Sequence, residues 1–117
     1  MVTLVNRARM NTSSTGTGTI TLGTAEDGYQ SFADAGVTNG DQVWYTIEDG
    51  SAWEVGLGTY TATGTTLSRT LIESSTGSLL NLSGNAVVFV TLPASGVVQA
   101  LGDLEDVTVS GGDVKIR

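Results

Sequence analysis

The sequence predicts an all-β fold: a single antiparallel β-sandwich or small barrel with a short C-terminal helical turn and an extended tail. Three observations predict it. From Asp41 to Leu92, apolar and polar residues alternate with the period of half-buried strands. Glycine-bearing turn clusters interrupt that alternation roughly every eight to twelve residues, the spacing of compact antiparallel domains. Apolar stripes of helical length are scarce. A chain of 117 residues is one domain by length, and a domain of that size buries roughly two-thirds of its unfolded surface. The pattern divides into an antiparallel β domain over residues 1–92, with about seven or eight strands, and a C-terminal extension over residues 93–117.

Taken in order, Val2 to Met10 reads as a strand, with Val5, Arg7 and Arg9 on alternate positions. Asn11 to Thr19 is Thr/Ser/Gly-rich and reads as a loop, and Thr19 to Leu22 as a short strand. Ala25 to Gly40 holds two turn clusters around Tyr29, Phe32 and Val37, an irregular excursion whose aromatic residues are expected to plug the end of the fold. Val43, Tyr45 and Ile47 share one face of the next strand, and Trp44, Thr46 and Glu48 the other. A turn at Asp49-Gly50-Ser51 returns the chain to Trp53, Val55 and Leu57. Gly56 and Gly58 inside that strand signal a bulge or a close backbone approach. Tyr60 to Thr70 forms a second hairpin around Ala62-Thr63-Gly64. Ala86 to Leu92 is apolar on both faces and is expected to lie centrally. Beyond Pro93, Ser95 is placed to cap a short helix over Gly96 to Leu101. The tail then carries an acidic cluster and alternating Val107, Val109, Val114 and Ile116.

Composition narrows function. Histidine and cysteine are absent, which removes the usual general base, the commonest metal ligand and the thiol nucleophile. Serine or threonine nucleophiles need an adjacent base, and the single lysine, Lys115, lies in the tail. No catalytic residue is expected. A net charge of −7 with five scattered basic residues argues against nucleic acid, whose phosphates require clustered cations, and against anionic membrane surfaces. The start MVTLVNRARM lacks the basic-then-apolar pattern of a signal peptide, and the absence of cysteine fits synthesis in a reducing cytoplasm.

The residues also carry a resemblance. NRARM, TGTGTITLGTA, GYQSFADAGVTNGDQVWYTIEDGSAWEVGLGTYT, TLSRTLIESSTG and LNLSGNAVVFVT resemble a small β domain of tailed bacteriophages and prophages, found in capsid decoration (cement) proteins and in the base modules of head and tail fibres. The likeness covers about residues 5 to 92, and LGDLEDVTVSGGDV resembles the linkers that follow the module in longer fibre proteins. The resemblance implies a non-enzymatic virion protein, made in the bacterial host cytoplasm. It implies a homotrimer docked on the major capsid protein or other virion proteins. A tail-fibre base or attachment module is the alternative, and a sequence that stops at Arg117 without a receptor-binding domain favours the capsid. No cofactor or metal is implied.

Sharper local readings compete with plainer ones. Thr15 to Thr19 has phosphate-loop glycine spacing without the Gly-Lys-Ser/Thr ending, so a loop is the plainer reading. Glu48, Asp49 and Glu54 around one turn could pair as glycosidase carboxylates, against the plainer reading of solvated turn residues. Asp103, Glu105 and Asp106 offer oxygen ligands for a hard cation, without a calcium-loop spacing. Trp44, Trp53 and Tyr60 could form a sugar-stacking platform, although cross-strand aromatics usually pack on one another. Arg69 alternates with Leu67 and Leu71 and is expected to point inward, paired with Glu48 or Glu73. The candidate interface is the set of end residues without an obvious partner: Val2, Leu4 and Val5, and Leu104, Val107, Val109, Val114 and Ile116. Small cores are often completed by association.

Overall fold

The computed structural model describes residues 2–94 and 96 in full and residues 107–110 and 113–116 as backbone. The elements are β1 (Arg9–Thr12), β2 (Thr15–Gly16), β3 (Ile20–Ala25), α1 (Phe32–Ala35), β4 (Gln42–Asp49), β5 (Ala52–Thr61), β6 (Thr66–Leu67), β7 (Thr70–Ser74), β8 (Leu82–Ser83), β9 (Ala86–Val90), β10 (Val107–Ser110) and β11 (Asp113–Ile116). Strands β4, β9, β1, β3, β6 and β5 pair in that order, and β5 pairs back onto β4. The fold is therefore a closed, six-stranded antiparallel barrel, which resolves the choice between sandwich and barrel. Closure removes the edges of these six strands, while β7 pairs with β5 alone. Strand β7 continues the path of β6 along β5, with a register shift between Val55 and Gly56.

The apolar run Ala86–Val90 lies centrally, as its composition predicts, with β4 on one side and β1 on the other. The N-terminal strand begins later than expected. Arg7 has φ 58°, which breaks extended backbone ahead of Arg9, so residues 2–8 contribute only parallel bridges at Val2 and Ala8. The strand instead runs on into the Thr/Ser/Gly segment. Between Met10 and Thr12 its register with β3 shifts, and the Asn11 side chain fills the gap. Its Oδ1 accepts from the Thr24 N–H at 3.0 Å and its Nδ2 donates to Thr24 Oγ1 at 2.9 Å. Gly23 leaves room for that side chain, because a Cβ there would collide with Asn11 Oδ1.

The excursion over Ala25 to Gly40 plugs the barrel through Phe32 and Val37. It does so with one helical turn that periodicity could not reveal. Ser31 caps α1 by accepting from the Asp34 N–H at 3.0 Å, and Gly36 ends it at φ 119°. Phe32 is fully buried, with its ring centroid 6.3 Å from that of Tyr60. Tyr29 stays exposed, contrary to the expectation for all three apolar residues. The core gathers Met10, Ile20, Leu22, Val43, Tyr45, Ile47, Leu67, Leu82 and Val88 around these plugs.

Strand β5 does not sort its residues by hydropathy. Its inward positions are Glu54, Gly56, Gly58 and Tyr60, all buried, while Trp53, Val55 and Leu57 point outward. The reason is the volume supplied by Tyr45 of β4 and by the β6–β7 segment. Register places Tyr45 opposite Gly56 and Val43 opposite Gly58. A Cβ on Gly56 would run into the Tyr45 hydroxyl and the Thr70 carbonyl, and one on Gly58 into the Ser68 carbonyl and the Leu67 side chain. The glycines mark close approach, as expected, and Trp53, Val55 and Leu57 lie on the outer face of the strand.

Strands β10 and β11 form a two-stranded sheet of their own, pairing Val107 with Ile116 and Val109 with Val114. Of the helix expected over Gly96 to Leu101, only Gly96 is described, and its N–H closes a turn onto the Pro93 carbonyl at 2.9 Å.

Candidate interaction site

The inward parity of β5 carries a glutamate into the barrel, and that charge must be compensated. Arg69, between β6 and β7, meets it. Arg69 Nη2 donates to Glu54 Oε1 at 2.6 Å and Nε to Oε2 at 3.0 Å, a two-pronged pair between side chains 1% and 0% exposed. Tyr45 Oη donates to Oε2 at 2.5 Å and the Leu80 N–H to Oε1 at 2.9 Å. The remaining guanidinium hydrogens reach the carbonyls of Gly16 (3.2 Å), Gly18 (3.1 Å) and Leu80 (2.8 Å). All five donors of Arg69 are thus used, and no buried side-chain polar atom among the described residues lacks a partner.

This cluster stitches the β2 loop and the segment before β8 to the barrel wall. Burial works against ionisation of Glu54, but the hydrogen bonds from Arg69, Tyr45 and Leu80, with the Arg69 charge, outweigh it and hold the carboxyl below the usual range. Burial, followed by the bond to Glu54 and its charge, pushes the Tyr45 phenol well above its ordinary value.

Arg69 therefore points inward as expected, but its partner is neither Glu48 nor Glu73. Glu48 lies on the outer face of β4, 46% exposed, and meets Arg9 at 3.2 Å. Glu73 is exposed on β7. The notional carboxylate pair also dissolves: Glu54 shares the inner face of Ile47, Glu48 the outer face, and Asp49 accepts from the Ser83 N–H and hydroxyl at 2.8 Å each. Glu54 is no solvated turn residue. The spacing Glu-x-Gly-x-Gly-x-Tyr was the signal, because two glycines at period two mark the face that must yield space to a bulky neighbour.

The three aromatics proposed as a platform separate as well. Tyr60 lies in the core, and Trp44 is buried on the outside of β4 beneath Gly96, where a Cβ would meet the indole at 2.8 Å. Only Trp53 is exposed, at 36%. It borders a shallow groove with Val55, Ile72, Glu73, Pro93 and Ala94. Ile72 (41%) and Leu92 (44%) extend the exposed apolar surface. A second cluster sits elsewhere on the outer wall. Arg7 stacks on the Tyr29 ring at 4.0 Å, and Arg9 lies 4.9 Å from the Phe89 centroid, so these cations are engaged within the fold.

Of the candidate interface residues, Val5 packs partly buried against the core, Val2 bridges to Gln42, and Leu4 is 47% exposed. Leu104 lies outside the described residues, as do Asp103, Glu105 and Asp106. Opposed pairing in β10–β11 puts Val107, Val109, Val114 and Ile116 at positions of one face of the hairpin, with Thr108, Ser110, Asp113 and Lys115 on the other. Among the described residues, no group of three or more carboxylates is placed to hold a metal ion, and no helix is long and apolar enough to cross a membrane. No family model, no curated protein and no solved structure matches the chain.

Proposed function

We propose that the protein is a structural component of a tailed-bacteriophage virion, a capsid decoration or cement protein that docks on the head shell as a homo-oligomer, with three-fold symmetry. The observation that carries the binding role is the division of apolar surface. The barrel satisfies its own interior, including the buried Glu54–Arg69 pair, yet leaves Trp53 and Ile72 exposed on the outside of β5 and β7. Surfaces of that kind mark association. The virion assignment rests on the resemblance carried by the YTIEDG, WEVG, TYT and TLSRT pattern. An acidic chain suits docking on a shell through apolar anchors and local charge complementarity, without attraction to packaged DNA.

A tail-fibre base module is the second reading, favoured by the separate β10–β11 hairpin after a linker-like stretch. Co-sedimentation with purified empty capsids, compared with purified tails, separates the two: saturable binding to capsids alone is expected. Saturable binding to tails alone shifts the assignment to the fibre, and binding to neither overturns both. The proposal also makes the chain a non-enzyme. Polysaccharide turnover that is lost in Glu48→Gln would contradict it. The same substitution at Glu54 would not be informative, because it breaks the buried cluster.

A further inference from the structure

We propose that the polar depression on the outer wall of the barrel, lined by Arg9, Asn11, Thr24, Glu26, Asp27 and Tyr29, binds a neutral, hydroxyl-rich saccharide. The proposal rests neither on the virion assignment nor on the apolar groove at Trp53.

The depression has a volume of about 610 Å³, within the range of about 300–1,000 Å³ usual for small-ligand sites. It runs into a second of about 340 Å³ that shares Asn11 and Glu26 and ends at Ser13 and Asn85. Its walls are fixed by backbone. The Glu26 N–H donates to the Arg9 carbonyl at 2.9 Å and the Tyr29 N–H to the Glu26 carbonyl at 2.9 Å, which sets the turn carrying Asp27 against β1. The Arg9 N–H in turn donates to the Gln30 carbonyl at 3.1 Å, and the Gln30 N–H to the Arg7 carbonyl at 2.8 Å.

Departures from regular backbone gather around this wall. Arg7 takes φ 58°, and from outside the depression its guanidinium stacks on the Tyr29 ring while donating to the Gly28 carbonyl at 2.8 Å. Gly28 is itself left-handed, at φ 82°. The register shift in β1 brings Asn11 onto Thr24. A left-handed arginine and a bulge are local costs of the kind that cluster where side chains are aimed at a ligand.

The chemistry of the lining selects the ligand. Each sugar hydroxyl both donates and accepts, and here the two roles are interspersed. Glu26 and Asp27 accept, Arg9 donates, and the amides and hydroxyls do both. Arg9 places one N–H on Glu48 at 3.2 Å, which leaves it further donors. Asp27, Tyr29 and Asn85 are exposed and Glu26 half-buried, so their polar atoms face water that a ligand hydroxyl can replace. Two carboxylates beside the arginine repel a polyanion, and the arginine repels a cation. The aliphatic side chains of the lining are Ala25, Ala86 and Val87, too few to hold a lipid chain. An extended peptide finds no free edge to pair with, because β1 is bonded on both sides, to β3 and to β9.

The test uses the full chain. An array of neutral oligosaccharides built from glucose, galactose, mannose and rhamnose, beside uronic-acid oligosaccharides, selects a probe. That probe is then titrated into isotope-labelled protein and followed by NMR. The expected result is binding to at least one neutral oligosaccharide, with amide shifts confined to residues 9–13, 24–30 and 84–87. Asp27→Ala and Tyr29→Ala should each weaken binding at least tenfold with an unchanged β spectrum, and Trp53→Ser should leave it unaltered. Asp27 is exposed, so its replacement tests binding apart from folding. Failure to bind any neutral oligosaccharide overturns the proposal, and binding confined to the uronic acids overturns the ligand class. Binding that Trp53→Ser abolishes and Asp27→Ala leaves intact moves the sugar to the apolar groove and overturns the site. Capsid binding is read separately by co-sedimentation, so either reading can fail without the other.

Discussion

Strands β4 and β5 are partners in one hairpin, yet they divide their residues by opposite rules. β4 turns Val43, Tyr45 and Ile47 inward and keeps Glu48 in water, as hydropathy dictates. β5 turns Glu54, Gly56 and Gly58 inward and leaves Trp53 half in water. The difference teaches that a barrel interior is filled by pairs and not by single strands. Directly opposed residues share a face, so the bulk of Tyr45 obliges Gly56 to be small, while Leu67 and the Ser68 carbonyl do the same for Gly58. Glu54, opposite Ile47, is then inward by parity alone, and its charge is tolerable only because Arg69, Tyr45 and the Leu80 N–H converge on it.

The contrast breaks most severely at Arg69. In Arg69→Met, Glu54 becomes a buried carboxylate without its cation, and the carbonyls of Gly16, Gly18 and Leu80 lose their donors. Removing one partner of such a pair costs about 3–5 kcal/mol, which is a large fraction of the stability of a small domain. Urea denaturation should show that loss. Adding Glu54→Leu should recover only part of it, since the Tyr45 hydroxyl and the backbone groups remain unpaired. Full recovery would mean that the cluster acts as a simple ion pair. Gly56→Ala tests the steric half of the comparison, because its methyl group meets the Tyr45 ring and the Thr70 carbonyl. Overpacking of that kind costs about 1–3 kcal/mol. Tyr45→Phe in the same chain should relieve little of it, because the Thr70 carbonyl is backbone and cannot move aside.

Much of this was legible in the residues, and the rest was lost for definable reasons. The strand at Ala86, the hairpins at Asp49-Gly50 and Ala62-Gly64, and the inward Arg69 follow from period two and turn chemistry. The partner of Arg69 did not, because Glu54 reads in sequence as one of three solvated carboxylates around the Asp49-Gly50 turn, and only its register opposite Ile47 carries it inward. The turn of α1 is shorter than any helical period, and only its Ser31 and Gly36 caps hint at it. Trp44 and Trp53 look equivalent in sequence. What separates them is Gly96, some fifty positions away along the chain, and local pattern carries no information about that contact.

The acid limb of the stability curve sharpens the same contrast more gently. The Glu54 carboxyl is held below its ordinary value of 4.5, so its contribution is complete above that pH and is lost as pH falls through the lowered value. Tyr45 behaves in the opposite sense. Its folded form resists ionisation, so stability should decline once the pH passes the ordinary phenol value of 10.0. Chemical denaturation across pH should therefore show a plateau between these limits. An Arg69→Met chain should lose the acid limb assigned to Glu54, since nothing then favours the charged form strongly enough to offset burial.

The smallest effect belongs to the glutamate on the other strand. Glu48 stands on the outer face of β4, 46% exposed, with a single contact at 3.2 Å to an Arg9 that is itself 26% exposed. Arg9 also has the Phe89 ring beneath it at 4.9 Å, so it keeps a favourable neighbour when the carboxylate is gone. Solvent-exposed pairs of this kind contribute about 0–1 kcal/mol and are screened by salt. Glu48→Gln should therefore shift the urea midpoint by the equivalent of no more than about 0.5 kcal/mol, and by less at high salt. Glu54→Gln, six positions along the hairpin, replaces a carboxylate that accepts from Arg69, Tyr45 and Leu80 with an amide that has a single acceptor oxygen. Its loss should be several times larger and insensitive to salt. Equal effects at the two positions would show that the inversion of β5 has no energetic consequence, and that the barrel tolerates either glutamate on either face.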